Sequence, residues 1–308
     1  MTPLRRALED YLRIRRGLGF ELKAVERHLN DFVDFLERAG AQQITIELAV
    51  MWARLPVDAH PHWCKRRLGF VRGFARYLAT IDPSTEVPPT NLLPARRPRI
   101  APYIYSPAEI AALMRATETL TPAFHANTFK TLIGLIATTG LRAGETLALD
   151  RQDVDLHDGA LHVRARKHKQ REVPLHQTTI VALREYTRLR DQRWPDPVTP
   201  AFFLGKRGGR LASIMFYRTF PALVRQAGLE GKGMRLRPRA HDLRHTFAVR
   251  TLLDWYRAGE NVDRRMPELS TFLGHSDPAS TYWYLEAVPD LMQDIANQAE
   301  RLAMGGRP

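Results

Sequence analysis

The 308-residue chain is 44% hydrophobic and 26% charged, enough for one large domain or two of ordinary size. Its 46 lysines and arginines against 33 acids leave a net charge of +13, a self-repelling excess usually kept for a polyanion partner. Cys64 stands alone, which excludes an intrachain disulfide and a cysteine-based metal site. The start, MTPLRRALED, lacks a signal peptide's apolar stretch, and no run of about 18 apolar residues offers a membrane span. A soluble, cytoplasmic protein is expected.

The excess is uneven. Residues 1–95 carry 14 basic and 11 acidic side chains, residues 96–240 carry 25 and 12, and residues 241–308 carry 7 and 10. The middle is where a phosphate backbone is expected to lie.

Leu4, Leu8, Tyr11 and Leu12 recur at helical spacing behind Thr2-Pro3, a cap and first-turn pair. Leu22, Val25, Leu29, Phe32, Val33 and Leu36 form an apolar stripe that Gly40 stops. A third helix starts after Thr45, and a fourth runs from about Trp63 to Leu78. Lys65, Arg72 and Arg76 fall near one face of that fourth helix. They are either a solvated face or contacts to phosphates. Residues 1–84 therefore predict a small helical module.

The stretch 85–105 is rich in proline and basic residues with no sustained periodicity, which predicts an extended linker. Arg96, Arg97 and Arg99 could touch a polyanion there. The second domain, 106–308, opens on 106-SPAE-109, a capping box with Ser106 as cap and Glu109 reaching back. A helix through Phe129, Leu132, Ile133 and Ile136 ends at Gly140, and 141-LRAGETLAL-149 follows.

From Asp158-Gly159 the period switches to two, predicting a short hairpin of Leu161, Val163 and Ala165 against Val173 to Leu175. Arg166, Lys167, Lys169 and Arg171 make its tip strongly cationic, which suits a polyanion better than a solvated turn. Helical spacing returns at Ile180 to Leu189, Phe202 to Leu204 reads as a short strand, and helices cover about 214–227 and from about His241. The run 205-GKRGGR-210 lacks the Walker pattern, so nucleotide triphosphate hydrolysis is rejected.

The remaining chemistry is concentrated in 241-HDLRH-245, 273-LGH-275 and Tyr284. Cationic donors can hold a phosphate, and a phenol can attack it. Taken with 139-TGLRAGE-145 and the basic hairpin, these motifs resemble the tyrosine recombinases, the phage-integrase family, over about residues 106–290. The first module resembles that family's core-binding domain in size, position and helical character.

The resemblance implies a mainly α fold with a small antiparallel sheet, an N-terminal helical core-binding domain and a C-terminal catalytic domain. It implies double-stranded DNA as partner and a homo-tetramer on paired sites, with or without other recombinases, and neither metal nor other cofactor. It implies that Tyr284 attacks the scissile phosphate while Arg142 and Arg244 clamp its oxygens. His241 and His275 would donate hydrogen bonds, and His241 would also be placed to take the tyrosine proton. Glu145 would orient its neighbours, and a hairpin lysine would protonate the leaving oxygen.

The hairpin is about one residue short of the family pattern. Aligned from the left strand it gives Lys167, and from the right strand Arg166, which is a poor proton donor. Lys167 is the assignment, with Lys169 as the alternative. Lys65, Arg72, Arg76, Arg166, Lys169 and Arg171 are the expected DNA contacts. Tyr282, two residues before Tyr284, points elsewhere on a helix and reads as packing, and His245 reads as structural. A helix marked by Leu291, Ile295 and Leu302 follows. An inactive DNA-binding regulator of the same fold is the competing function, and no additional arm-binding domain is expected.

Overall fold

The computed structural model describes residues 2–56, 58–93, 102–164, 170–230, 237–275, 277 and 279–287. The chain divides into two compact units, residues 1–99 and 100–308.

In the first unit, Thr2 Oγ1 accepts the Arg5 N–H and starts α1 (Pro3–Gly17). Then come α2 (Lys23–Arg38), α3 (Ile46–Arg54), capped by Thr45, and α4 (Pro61–Leu78), capped by His60. Their apolar stripes meet in one core around Leu8, Leu29, Phe32, Trp52, Leu68 and Phe74. Arg67 of α4 turns into that core. Its Nη2 donates to Trp52 O at 2.9 Å while the guanidinium carbon lies 3.8 Å from the Trp52 ring centre.

Within the span read as a linker, the Glu86 N–H donates to Ile44 O at 2.9 Å, and Leu93 is buried in this first core. Proline fixes φ but leaves its carbonyl free to accept. The Pro88 and Pro89 carbonyls accept from Arg72 Nε and Nη2, at 2.6 and 2.7 Å, and fasten this stretch to α4. Arg96, Arg97 and Arg99 lie outside the described residues.

In the second unit Tyr103 and Tyr105 are buried in the main core. Ser106 and Glu109 form the expected reciprocal cap of α5 (Pro107–Ala116). Next come α6 (Ala123–Thr139) and α7 (Ala143–Ala148), then β1 (Val154–Asp155), β2 (Ala160–Arg164) and β3 (Gln170–Pro174). The three strands form one antiparallel sheet in chain order, with Leu161 opposite Val173 and Val163 opposite Arg171. The chain continues through α8 (Gln177–Arg193), α9 (Ser213–Gln226), α10 (Ala240–Arg257), α11 (Val262–Leu273) and α12 (Ala279–Ala287). The fold class is the one expected, mainly α with a small antiparallel sheet.

The expected strand at Phe202 to Leu204 is not regular. Only single bridges form, Ala201 with Asp150 and Leu204 with Arg210. Phe202 and Phe203 are both fully buried, which a one-faced strand with alternating side chains cannot achieve. Two apolar clusters position the site. One gathers α5, α6, α9 and the sheet around Phe129, Ile133, Phe203 and Phe216, and the other joins α10, α11 and α12 through Val249, Leu252, Met266, Leu273 and Tyr284. Among the described residues, no helix is long and apolar enough to cross a membrane.

Candidate active site

The site begins where α6 stops. Gly140 adopts φ +62°, and a Cβ there would lie 2.5 Å from Phe247 Cδ1 and 2.9 Å from Leu273 Cδ2. Only glycine turns the chain so tightly against α10 and α11. Arg142 follows as the residue capping α7. Glu145 accepts the Arg142 N–H at 3.1 Å and Arg142 Nη1 at 2.8 Å, while Arg142 Nη2 donates to Gly274 O at 3.1 Å.

Arg244, on the second turn of α10, is 1% exposed. Its Nη1 donates to Gly140 O at 2.8 Å and its Nη2 to Leu273 O at 2.7 Å. Burial, with Arg142 nearby, pulls this guanidinium down to about 10, so it remains protonated at neutral pH. A guanidinium carries five N–H groups in a plane. Arg244 is thus fixed by carbonyls where α6 and α11 end, and Arg142 by the Glu145 carboxylate and the Gly274 carbonyl, with further donors left for an anion.

His275 follows Gly274, and its Nδ1 shares a 2.6 Å hydrogen bond with Thr281 Oγ1. Burial, then Arg244 and Arg142, hold this imidazole at about 4. His241 reaches solvent, yet the protein around it and Arg244 lower its proton affinity. Tyr284 is 2% exposed. Burial raises its pKa, while Arg244 and Arg142 oppose that rise and favour the phenolate. Tyr282 points away from this cluster, as the spacing predicts, but at 42% exposure it faces solvent instead of packing.

One hairpin side chain departs from its expected place. Arg171, expected at the cationic tip, turns inward and is 10% exposed. Its Nη2 and Nη1 donate to Glu145 Oε2 and Oε1 at 2.8 and 3.3 Å, and its Nε donates to Phe272 O at 2.8 Å. Strand parity carries that signal, because Arg171 is two residues from buried Val173 and opposite buried Val163, on the inner face. Burial pushes the Glu145 carboxyl up, but Arg171 and Arg142 outweigh it and hold it below the usual carboxylate range.

His245, which the sequence reads as structural, lies within hydrogen-bond reach of Tyr284. Its Nδ1 lies 2.9 Å from the Tyr284 hydroxyl, and its ring is 4.5 Å from that of His241. The i, i+4 spacing of His241 and His245 on α10 places both imidazoles on one face, which was readable in the sequence.

Lys167, Arg166 and Lys169 lie outside the described residues. In the first unit Arg76 is exposed and Lys65 half-buried. Arg72 is corrected: its Nε and Nη2 are engaged by the Pro88 and Pro89 carbonyls, and burial lowers its pKa.

A buried phenol beside two anchored arginines and an imidazole, in a helical domain with a small sheet, is an arrangement that can hold an anion next to a hydroxyl. A sequence model described as the Phage integrase family matches residues 105–289. The chain is similar to the integrase/recombinase y4rB of Sinorhizobium fredii, 43% identical over 98% of each chain. It is similar also to the tyrosine recombinase XerC of Azotobacter vinelandii, 31% identical over 90% of this chain and 89% of that one. Among solved structures, the Tn1549 transposon integrase in complex with transposon right end DNA matches 98% of this chain and 100% of its own. The TM-score is 0.68 at 17% identity, a likeness of fold. The chain belongs to the phage integrase family, the site-specific recombinases of the tyrosine type.

Proposed function

We propose that this recombinase cuts and rejoins duplex DNA through a 3′-phosphotyrosine formed on Tyr284. The observation that carries this reading is the burial of the Tyr284 hydroxyl among Arg244, Arg142 and His275, where a phosphodiester can be held and attacked at once. Tyr284 Oη forms the bond to phosphorus and the 5′-oxygen leaves. Arg142 and Arg244 offset the charge that grows on the non-bridging oxygens. His241 and His275 donate hydrogen bonds to them, and Lys167 protonates the leaving oxygen. The phosphotyrosine keeps the bond energy for rejoining, so the reaction needs neither metal nor ATP.

The duplex is the partner, consistent with the +13 charge and with the DNA held in the Tn1549 integrase complex. Lys65, Arg76, Arg166 and Lys169 supply phosphate contacts in this reading. Strand exchange between two duplexes calls for a homo-tetramer on paired sites, acting in the cytoplasm on a mobile element.

The test is a nicked suicide duplex carrying the ends of the protein's own element, from which a short fragment diffuses after cleavage. A covalent protein–DNA adduct on a denaturing gel is expected from the wild type and from Tyr282→Phe, and none from Tyr284→Phe. Adduct from Tyr284→Phe would remove the nucleophile assignment. No adduct with a duplex the protein demonstrably binds would favour the other reading, an inactive DNA-binding regulator.

A further inference from the structure

The hydroxyl that must lose its proton during cleavage already has a hydrogen-bond partner. Nδ1 of His245 is 2.9 Å from Tyr284 Oη, and the two rings meet edge to face with centroids 5.4 Å apart. His241, three residues before Arg244, touches the ring of His245 instead. We propose that His245 is a catalytic residue of this recombinase, the acceptor that orients the Tyr284 hydroxyl and takes its proton as the oxygen attacks. The inference deepens the tyrosine-nucleophile reading and rests on it.

Three features support the assignment. The imidazole is held in place from two sides, by the His241 ring within α10 and by the Trp283 ring on α12, at centroid distances of 4.5 and 5.7 Å. Burial, then His241, Arg239, Arg244 and His275, keep it neutral with a pKa near about 3, so Nδ1 is unprotonated and able to accept when Nε2 carries the proton. Among the described residues, those groups and Tyr284 are the titratable and charged side chains that act on it. A phosphodiester entering beside Arg142 and Arg244 brings a negative charge that offsets them. The proton affinity of His245 therefore rises as the substrate arrives.

The step balances without any further reactant. The Oη–P bond forms, the P–O5′ bond breaks and the Oη proton passes to Nδ1, leaving an imidazolium. The 5′-oxygen takes up a proton on its own side, from the lysine assigned above or from water. In rejoining, the imidazolium returns its proton to the departing phenolate.

The experiment is single-turnover cleavage of the nicked suicide duplex by the full chain, with an ordinary 5′-oxygen and with a bridging 5′-sulfur at the scissile phosphate. Sulfur leaves without a proton, so it rescues the loss of a leaving-group acid and not the loss of a base. His245→Ala and His245→Asn are expected to slow cleavage about 100-fold or more at neutral pH, the range for losing a general base. DNA affinity is expected to stay within about twofold, because the His245 ring is neutral and its hydrogen bond goes to the phenol. The deficit is expected to shrink as pH rises toward ionisation of the phenol, and to persist on the 5′-sulfur substrate.

Asn keeps a polar atom near the Nδ1 position, so it stands in if the Ala variant does not fold. Cleavage by His245→Asn within a few-fold of wild type, or full rescue by the 5′-sulfur, overturns the assignment of His245 while leaving Tyr284 as nucleophile. No adduct from the wild type overturns the underlying reading, and this inference with it.

Discussion

Arg171 on β3 and Glu145 on α7 are joined at two points, Nη2 to Oε2 at 2.8 Å and Nη1 to Oε1 at 3.3 Å, and the same carboxylate holds Arg142. Arg171 Nε also donates to Phe272 O at the end of α11, one turn from His275. A single side chain therefore ties the strand that follows the cationic tip to the Arg142 turn and the His275 turn.

Removing the charge at the centre of this pair should be costly. Glu145 is 11% exposed and Arg171 10%, so Glu145→Gln leaves two arginines close together without their counter-charge. A buried pair broken on one side costs about 3–5 kcal/mol, and denaturant unfolding should show a loss on that scale. Arg171→Lys keeps the charge but not the two-point geometry. It should fold, bind DNA and form adduct roughly 100-fold more slowly, the scale of a misplaced catalytic group. Wild-type cleavage by Arg171→Lys would show that this strand need not be fixed to the site.

Acid should unfold the second unit from an unusually high pH. His275 is held at about 4 and His245 at about 3, against an ordinary value near about 6.5. Below about pH 6.5 the unfolded chain binds protons that these folded imidazoles refuse. Stability is therefore full above that value and falls with pH until about 4 for one and about 3 for the other. Glu145, held below the usual carboxylate range, adds a further loss at the acid end. Thermal melts should stay level from about pH 8 to about pH 6.5 and then fall toward about pH 4, less steeply in His245→Asn. A flat profile to about pH 5 would contradict the burial of these rings.

The parts of the site that were legible in the sequence are those governed by local rules. Thr2, Thr45 and Ser106 stand at the helix starts they predict, and Gly140 ends α6 in the left-handed conformation its residue type favours. Arg142, Arg244, His275 and Tyr284 converge from four separate segments, which motif order conveyed and periodicity could not. Less legible were features set by packing. The strand β1 has two residues, too few for an alternating pattern, and Phe202-Phe203 bury on both sides of the chain. Arg171 reads as an outward charge when the hairpin is judged by its charge alone, and Arg72 does so because helical spacing does not show the Pro88 and Pro89 carbonyls folding back on it. His245 was discounted for the same reason: its value depends on α12 bringing Tyr284 to it.

Gly274→Ala tests how tightly the His275 turn is built. Gly274 has φ +66°, and a Cβ there would lie 2.6 Å from Arg171 Nη1 and 2.8 Å from Arg171 Cζ. The arginine cannot swing aside without releasing Glu145 and Phe272. Left-handed strain alone costs about 1–3 kcal/mol, and the clash adds to it. The melting temperature should fall and adduct formation should fall further, since both the Gly274 carbonyl and His275 move. A variant with lowered stability and full cleavage would place the strain away from the chemistry.

Arg72 and Arg76 lie four residues apart on α4 and should respond to alanine in opposite ways. Arg72 is bound to the Pro88 and Pro89 carbonyls at 2.6 and 2.7 Å, whereas Arg76 is exposed. Each hydrogen bond from a charged donor contributes about 1.5–3 kcal/mol, so Arg72→Ala should destabilise the first unit measurably. Its effect on the salt dependence of DNA binding should be small, because an arginine already facing two carbonyls releases few counterions. Arg76→Ala should leave unfolding unchanged and weaken binding, lowering the log–log salt slope by about 0.9 for a lost phosphate contact. Parallel unfolding curves and salt titrations of the two variants separate these roles. An unchanged salt slope in Arg76→Ala would remove Arg76 from the proposed DNA interface.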